Sequence, residues 1–241
     1  MNRILFERDE VGLDGRVDLS DARAEHIRTV LHGAPGQMLK VGVVEGLLGT
    51  ATVTAVTPQC VTLACRFDEA PRAPWCDLIL APPRPRVLKR LLPQLATLGV
   101  RRLVLVGAEK VEKAFWGAQL LKTEIYRPLF LEGLMQGAVA TAVPEVVQVR
   151  AFARWLTHGG FEGLFGAQPR RILAHPYGAA GAVHPAASGA PPVLAIGPEG
   201  GWTPDEVARF EAHGFVRQGL GARILKTETA AIALLSRWMP D

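Results

Sequence analysis

The chain has only three cysteines, Cys60, Cys65 and Cys76. They are an odd number without metal-ligand spacing, so they fit a reduced cytosol and read as small hydrophobes rather than a disulfide framework. No His/Cys cluster suits zinc, and no Ser/His/Asp arrangement has nucleophile-elbow spacing; neither a metal site nor hydrolase chemistry is expected. No apolar run approaches the roughly 18 residues needed to span a bilayer. The opening residues, Met1 to Arg8, carry acids early and lack a signal-peptide stretch. A cytoplasmic location without a membrane partner is the expectation. Internal repeats are absent, and the small-residue loop from Gly178 to Pro192 is the one low-complexity segment.

About half of the 241 residues are apolar, enough for one large domain or two modest ones. The net charge of +4 is unevenly spread. Residues 1–72 hold eight Lys/Arg against ten Asp/Glu, whereas residues 84–127 hold ten against three. A basic stripe of that kind suits a polyanion such as RNA.

Residues 1–71 read as a small β-rich module. Short alternating segments at 39–43, 50–56 and 61–65 are separated by Gly and Pro at hairpin-like intervals, the pattern of a small barrel. One helix, Asp21 to Leu31, starts at an N-cap on Ser20 or Asp21. Ala70-Pro71-Arg72-Ala73-Pro74 marks a linker. Over 74–241 strands alternate with helices, which indicates a mostly parallel α/β sheet. Strands are expected at 78–81, 103–106, 172–174, 192–196 and 215–216, and helices at about 117–138, 203–213 and 227–238. Another helix puts Leu88, Leu91, Leu92 and Leu95 on one face, with Pro93 expected to kink it or mark an irregular turn.

The richest segment is Ile196-Gly197-Pro198-Glu199-Gly200-Gly201-Trp202-Thr203-Pro204-Asp205-Glu206. An apolar strand runs through a turn with almost no side chains into a helix start, with Thr203 as N-cap, Pro204 at the first position and Glu206 completing a capping box. Glycines let a backbone approach a ligand closely. The loop has neither the Gly-Lys-Ser/Thr of a phosphate loop nor the Gly-x-Gly-x-x-Gly of a dinucleotide site, and Glu199 would repel a pyrophosphate. Its ligand is expected to be cationic or neutral at this edge. A second segment, Leu220-Gly221-Ala222-Arg223-Ile224-Leu225-Lys226-Thr227-Glu228-Thr229-Ala230, feeds a Gly turn and two cations into a Thr-rich helix start, with Thr227 or Thr229 as N-cap. Arg223 and Lys226 beside a helix N-terminus make an anion contact. A third, Pro82-Pro83-Arg84-Pro85-Arg86-Val87-Leu88-Lys89-Arg90, holds arginines at a strand's carboxyl end, where open α/β sheets bind ligands. His175-Pro176 ends another strand, and a lone His there reads as structural.

These motifs, in this order and about twenty residues apart, resemble the RsmE-type rRNA methyltransferases of the SPOUT superfamily. The resemblance runs nearly end to end, including Ala24-Glu25-His26-Ile27, Val30-Leu31, and the Arg84-Pro85 loop leading to Leu98-Gly99-Val100. It implies a PUA-like β-barrel followed by a trefoil-knotted α/β methyltransferase domain. It also implies S-adenosylmethionine as methyl donor, a homodimer, and methylation of N3 of a uridine in small-subunit rRNA. On this resemblance Ile196, Gly197, Leu220 and Leu225 would hold the cofactor through backbone groups, with Glu199, Gly200, Gly201, Gly221, Ile224, Thr227 and Ala230 around it. Arg84, Arg86, Lys89, Arg90 and Lys226 would contact RNA. Arg223 would stabilise charge on the uracil or orient the base; Glu199 is a possible general base but reads better as part of the ligand loop. The chain departs from the family where Gln136 and Pro144-Glu145 remain but the arginine usual between them is missing. A non-catalytic RNA- or cofactor-binding member, or a methyltransferase acting on another RNA, is the alternative.

Overall fold

Alternation at a period of two builds the first sheet. In β2 (Arg16–Leu19), Val17 and Leu19 are buried while Arg16 and Asp18 face out. The same rule orients β1 (Ile4–Phe6), β3 (Met38–Val43), β4 (Leu48–Val56) and β5 (Val61–Glu69) around one apolar core. The order is β1-β3-β4-β5-β2, with β1 parallel to β3 and the other pairs antiparallel. β1 and β2 remain as edges of this half-barrel. Helix α1 (Ala22–Thr29) buries Ala24 and Ile27 against the sheet, and Asp21 caps it by accepting from the Arg23 backbone N–H. The structure, a computed structural model, describes residues 2–166, 170–179 and 191–240; most of the small-residue loop from Gly178 to Pro192 lies outside the described residues.

The chain divides into two units, one of Met1–Ala73 with Leu131–Val143, the other of Pro74–Phe130 with Pro144–Asp241. The return of Leu131–Val143 to the first unit departs from an unbroken second domain from residue 74. The reason is a set of buried polar ties: the Asn2 and Arg3 amides donate to the Met135 carbonyl, and the Arg3 guanidinium donates to the Val41, Gly49 and Ala138 carbonyls.

The second unit is a six-stranded parallel sheet in the order β11-β9-β10-β6-β7-β8. Its strands are β6 (Cys76–Leu80), β7 (Val100–Val106), β8 (Glu145–Val149), β9 (Arg171–Ala179), β10 (Val193–Ile196) and β11 (Val216–Gln218). β6 and β10 are buried along their whole length, as expected for central strands covered on both faces. The chain winds outward through β6, β7 and β8, then returns to place β10 between β6 and β9. Reversals of that kind open a crevice at the strands' carboxyl ends.

Helix α2 (Pro85–Thr97) buries Leu88, Leu91, Leu92 and Leu95 and leaves Lys89 and Arg90 exposed. It runs on through Pro93 to Thr97 instead of breaking there. The bond that Pro93 forfeits is to the carbonyl of Lys89, an exposed residue. The helix expected at 117–138 is shorter. Two 3-10 turns, Lys113–Gly117 and Gln119–Leu121, precede helix α3 (Thr123–Gly137). Helices α4 (Phe152–Thr157), α5 (Gly160–Phe165), α6 (Pro204–Ala212) and α7 (Thr227–Trp238) complete the unit. An aromatic cluster joins α4, α5 and α6: Trp202 packs on Phe152 and Phe210, and Phe215 lies against Phe210 and Phe161, with ring centroids 4.8–5.7 Å apart. Each such pair adds about 0.5–1.5 kcal/mol beyond its burial.

Candidate active site

β10 delivers its chain to the crevice at Ile196, whose carbonyl accepts the Ala81 N–H at 3.0 Å. The next five residues turn: Gly201 N–H closes onto the Pro198 carbonyl at 2.8 Å, and Gly201 takes a left-handed φ of 69°. Trp202 then drops into the aromatic core and anchors the turn from below. Gly197 sits so close to that indole that a β-carbon would lie 3.0–3.2 Å from it, so a side chain there would press on Trp202. A β-carbon on Gly201 or Gly221 would meet nothing within 4 Å.

Helix α6 begins as its sequence signature dictates. The Thr203 hydroxyl accepts from the Glu206 N–H and the Glu206 carboxylate accepts from the Thr203 N–H. The second oxygen of buried Glu206 accepts the Glu109 N–H at 2.8 Å, and Lys110 Nζ donates to the Gly200 carbonyl at 2.8 Å. Two groups therefore pin the loop after β7 to the glycine turn. Asp205, by contrast, is exposed and pairs with Arg209.

The loop after β11 comes to the same place. The expected N-cap on Thr227 or Thr229 is corrected: Lys226 is the cap, without a side-chain bond, and Thr227 is the first helical residue. The Thr227 hydroxyl donates instead to the Gly197 carbonyl at 3.2 Å, so it joins the two ligand loops.

Together these loops line a cleft of about 380 Å³, within the range of small-molecule sites. Ile196, Gly197, Glu199, Gly200, Gly201, Leu220, Gly221, Ile224, Leu225, Thr227 and Ala230 all line it, and so does Arg223, whose side chain is exposed. Arg84, Arg86, Lys89, Arg90 and Lys226 are exposed outside it. Arg84 Nε lies 3.6 Å from Glu199, so a residue assigned to RNA and one assigned to the cofactor loop meet at the rim. Both are exposed, and such a pair is worth at most about 1 kcal/mol.

Sequence reasoning did not place the end of β9 in the wall. Ala174, His175, Pro176 and Tyr177 line the cleft, as do Trp202 and buried Gln218. His175-Pro176 was expected to end a strand, but β9 runs on through both residues to Ala179; the pair was still the available signal, and Gln218 offers none. His175 Nδ1 accepts the Tyr177 N–H at 3.2 Å, and burial, aided by nearby Arg217, holds the imidazole below its ordinary pKa. None of the cysteines lines the cleft; burial pushes Cys76 well up and Cys65 up to about 11, so these two stay thiols at neutral pH.

The cleft suits a neutral or cationic ligand with hydrogen-bonding edges. Among the described residues it offers glycine backbone, the Glu199 carboxylate, the Arg223 guanidinium at its edge and apolar walls.

Known proteins agree with this reading of the fold. A model of the RNA methyltransferase domain family matches residues 71–239. Ribosomal RNA small subunit methyltransferase E of Treponema pallidum (strain Nichols) is 32% identical, covering 97% of this chain and 88% of its own length. Among solved structures, ribosomal RNA small subunit methyltransferase E from Neisseria gonorrhoeae bound to S-adenosyl methionine gives a TM-score of 0.75 at 21% identity, covering 98% of this chain and 95% of that one. A methyltransferase from Legionella pneumophila in complex with the bound cofactor SAM gives 0.73 at 23%, with the same coverage. At these identities the structural likeness is one of fold.

Proposed function

Because the chain belongs to the ribosomal RNA small subunit methyltransferase E family, we propose that it methylates N3 of a uridine in 16S rRNA with S-adenosylmethionine as donor. The observation that carries this reading is the convergence of the 196–202 and 219–227 loops on one cleft with a carboxylate and no phosphate-binding lysine.

The residues fit the donor. The backbone at Gly201 and Gly221 faces open space at the cleft, and Glu199 offers charge to a cation. When bound, S-adenosylmethionine supplies an electrophilic methyl group on a sulfonium. Ile196, Gly197, Leu220 and Leu225 line the cleft and would hold the donor through their backbone groups. Thr227 ties the two ligand loops together, Glu206 and Lys110 tie the glycine turn to the loop after β7, and positioning of that kind is the main catalytic lever for a group transfer. Uridine N3 attacks only after losing its proton, and the resulting charge spreads onto the flanking carbonyl oxygens. Arg223 lies in the cleft wall, where its guanidinium stabilises that charge. Arg86, Lys89 and Arg90 would draw the RNA backbone. A homodimer acting in the cytoplasm on rRNA or the small subunit completes the reading.

The test is methyl transfer to unmodified small-subunit rRNA and to subunits lacking the modification, with the modified nucleotide located by mass spectrometry. A single N3-methyluridine in 16S rRNA is expected. Cofactor binding without transfer to any small-subunit RNA would overturn the proposal, and a methyl group on a tRNA would move the enzyme to another RNA.

A further inference from the structure

Tyr177 lies on β9 at the cleft wall, two residues before the strand's end, and is 83% exposed; Ile224, from the loop after β11, lines the same cleft and is 80% exposed. Neither side chain belongs to the core of the unit. Two large apolar groups left open on separate elements, with the exposed cation Arg223 in the same cleft wall, describe a rim for a flat ligand with a π-face and a polar, electron-rich edge. The Tyr177 backbone is held in place, since its N–H donates to His175 Nδ1 at 3.2 Å, and the two rings lie 5.8 Å apart. With Nδ1 accepting, the neutral imidazole carries its proton on Nε2. The cofactor's expected contacts are backbone groups of Ile196, Gly197, Leu220 and Leu225, whereas Tyr177 offers an exposed ring. A base that undergoes chemistry must leave its stack, and a protein aromatic replaces the lost neighbour.

We propose that Tyr177 is the stacking platform for the target nucleobase, with His175 as the residue that positions it. The proposal rests on the RNA-methyltransferase reading above and deepens it by naming where the base is received.

The experiment compares the full-length wild type with Tyr177→Ala and Tyr177→Phe. It measures S-adenosylmethionine affinity by calorimetry, equilibrium binding of unmodified small-subunit rRNA, KM and kcat for methyl transfer, and oligomeric state by sedimentation. Tyr177→Ala should raise the RNA KM between about 5- and 150-fold, the range of base–aromatic stacking. Cofactor affinity should not change, and Tyr177→Phe should restore RNA KM to within about twofold, because the ring and not the hydroxyl does the stacking. An unchanged RNA KM in Tyr177→Ala overturns the proposal. An equal loss of cofactor affinity assigns the ring to the cofactor, and a shift in oligomeric state assigns it to a second copy; either result also overturns it. A wild type that binds rRNA without methylating it defeats the activity reading alone, and the Tyr177 comparison is then decided by RNA affinity.

Discussion

Asp205 and Glu206 stand side by side at a helix start, yet they do different work. Glu206 is buried and accepts backbone N–H groups from its own cap and from Glu109, while Asp205 is exposed and meets Arg209. Glu206→Gln turns an NH2 towards one of those donors and leaves it unsatisfied, at a cost of about 1–3 kcal/mol. In a chain of this length that lowers the thermal midpoint by roughly 2–4 °C per kcal/mol, with a parallel loss of cofactor affinity as the glycine turn loosens from the loop after β7. Asp205→Asn should stay within about 0.5 kcal/mol. Thermal scans with and without cofactor decide between equal and unequal roles for the two acids. Arg223 calls for a different measurement. Arg223→Ala should lower kcat by about 10²–10³-fold, the size seen when one donor to a developing anion is removed, while calorimetric cofactor affinity stays near wild type. Arg223→Lys should recover part of the rate through charge without the planar fork. A mutant with full kcat would remove Arg223 from the chemistry. At this scale the sequence showed which residues gather at the cleft, because glycines, caps and a carboxylate have local causes. It could not show that Gly197 answers to Trp202 or that Thr227 reaches Gly197, since each depends on a contact made only when the chain folds.

The element scale divides along the same line. Helix α2 and strands β6 and β10 were legible because burial on one helical face, or on both sheet faces, writes a strong apolar pattern. Strand β8 was missed. It is the sheet edge, and Val149 is its sole fully buried position, so Glu145-Val146-Val147-Gln148-Val149 alternates poorly. The first turns of the expected 117–138 helix became 3-10 turns for a comparable reason, as Gly117 and the Ala118 cap interrupt a run that looked continuous. Helix α1 makes a claim that pH can test. Arg23 joins three elements, bonding Glu10 of a 3-10 turn, the Asp21 cap and the Leu5 carbonyl of β1. Its hydrogen bonds hold both carboxyl groups below their ordinary range. The folded pKa values are depressed, so the stabilisation is complete above the ordinary carboxylate range and is lost as pH falls through the depressed values. Hydrogen exchange in α1 and β1 should therefore accelerate as the pH is lowered beneath that range, beyond the intrinsic change. Arg23→Leu should show faster exchange at neutral pH and a flatter acid response; an acid response identical to wild type would take the cluster out of the unit's stability.

For the whole molecule the uneven charge carries the argument. The stretch 84–127 holds ten basic residues, but the fold commits several of them internally. Arg101 chelates the buried Asp77 at 2.9 and 2.5 Å, Arg102 bonds Glu145 at 2.7 Å, and Arg84 faces Glu199. Composition alone therefore overstates the field offered to RNA. Arg86, Lys89 and Arg90 are exposed along the start of α2 and are the cations best able to meet phosphates. Replacing all three with Gln should weaken rRNA binding and make it less salt-dependent. Each lost phosphate contact on a single strand reduces the slope of log K against log salt by about 0.7, or up to about 2 for the three. Arg101→Gln should behave in the opposite way. It removes the closer of two arginines from a carboxylate that is 1% exposed and leaves Arg102 at 3.7 Å, so about 1–3 kcal/mol of stability goes while the salt slope holds. Titrations from low to physiological salt on the folded variants, with urea denaturation beside them, separate the two classes. If the triple variant kept the wild-type slope, RNA would have to approach by another face, because charges that meet phosphates cannot be removed without releasing fewer counterions.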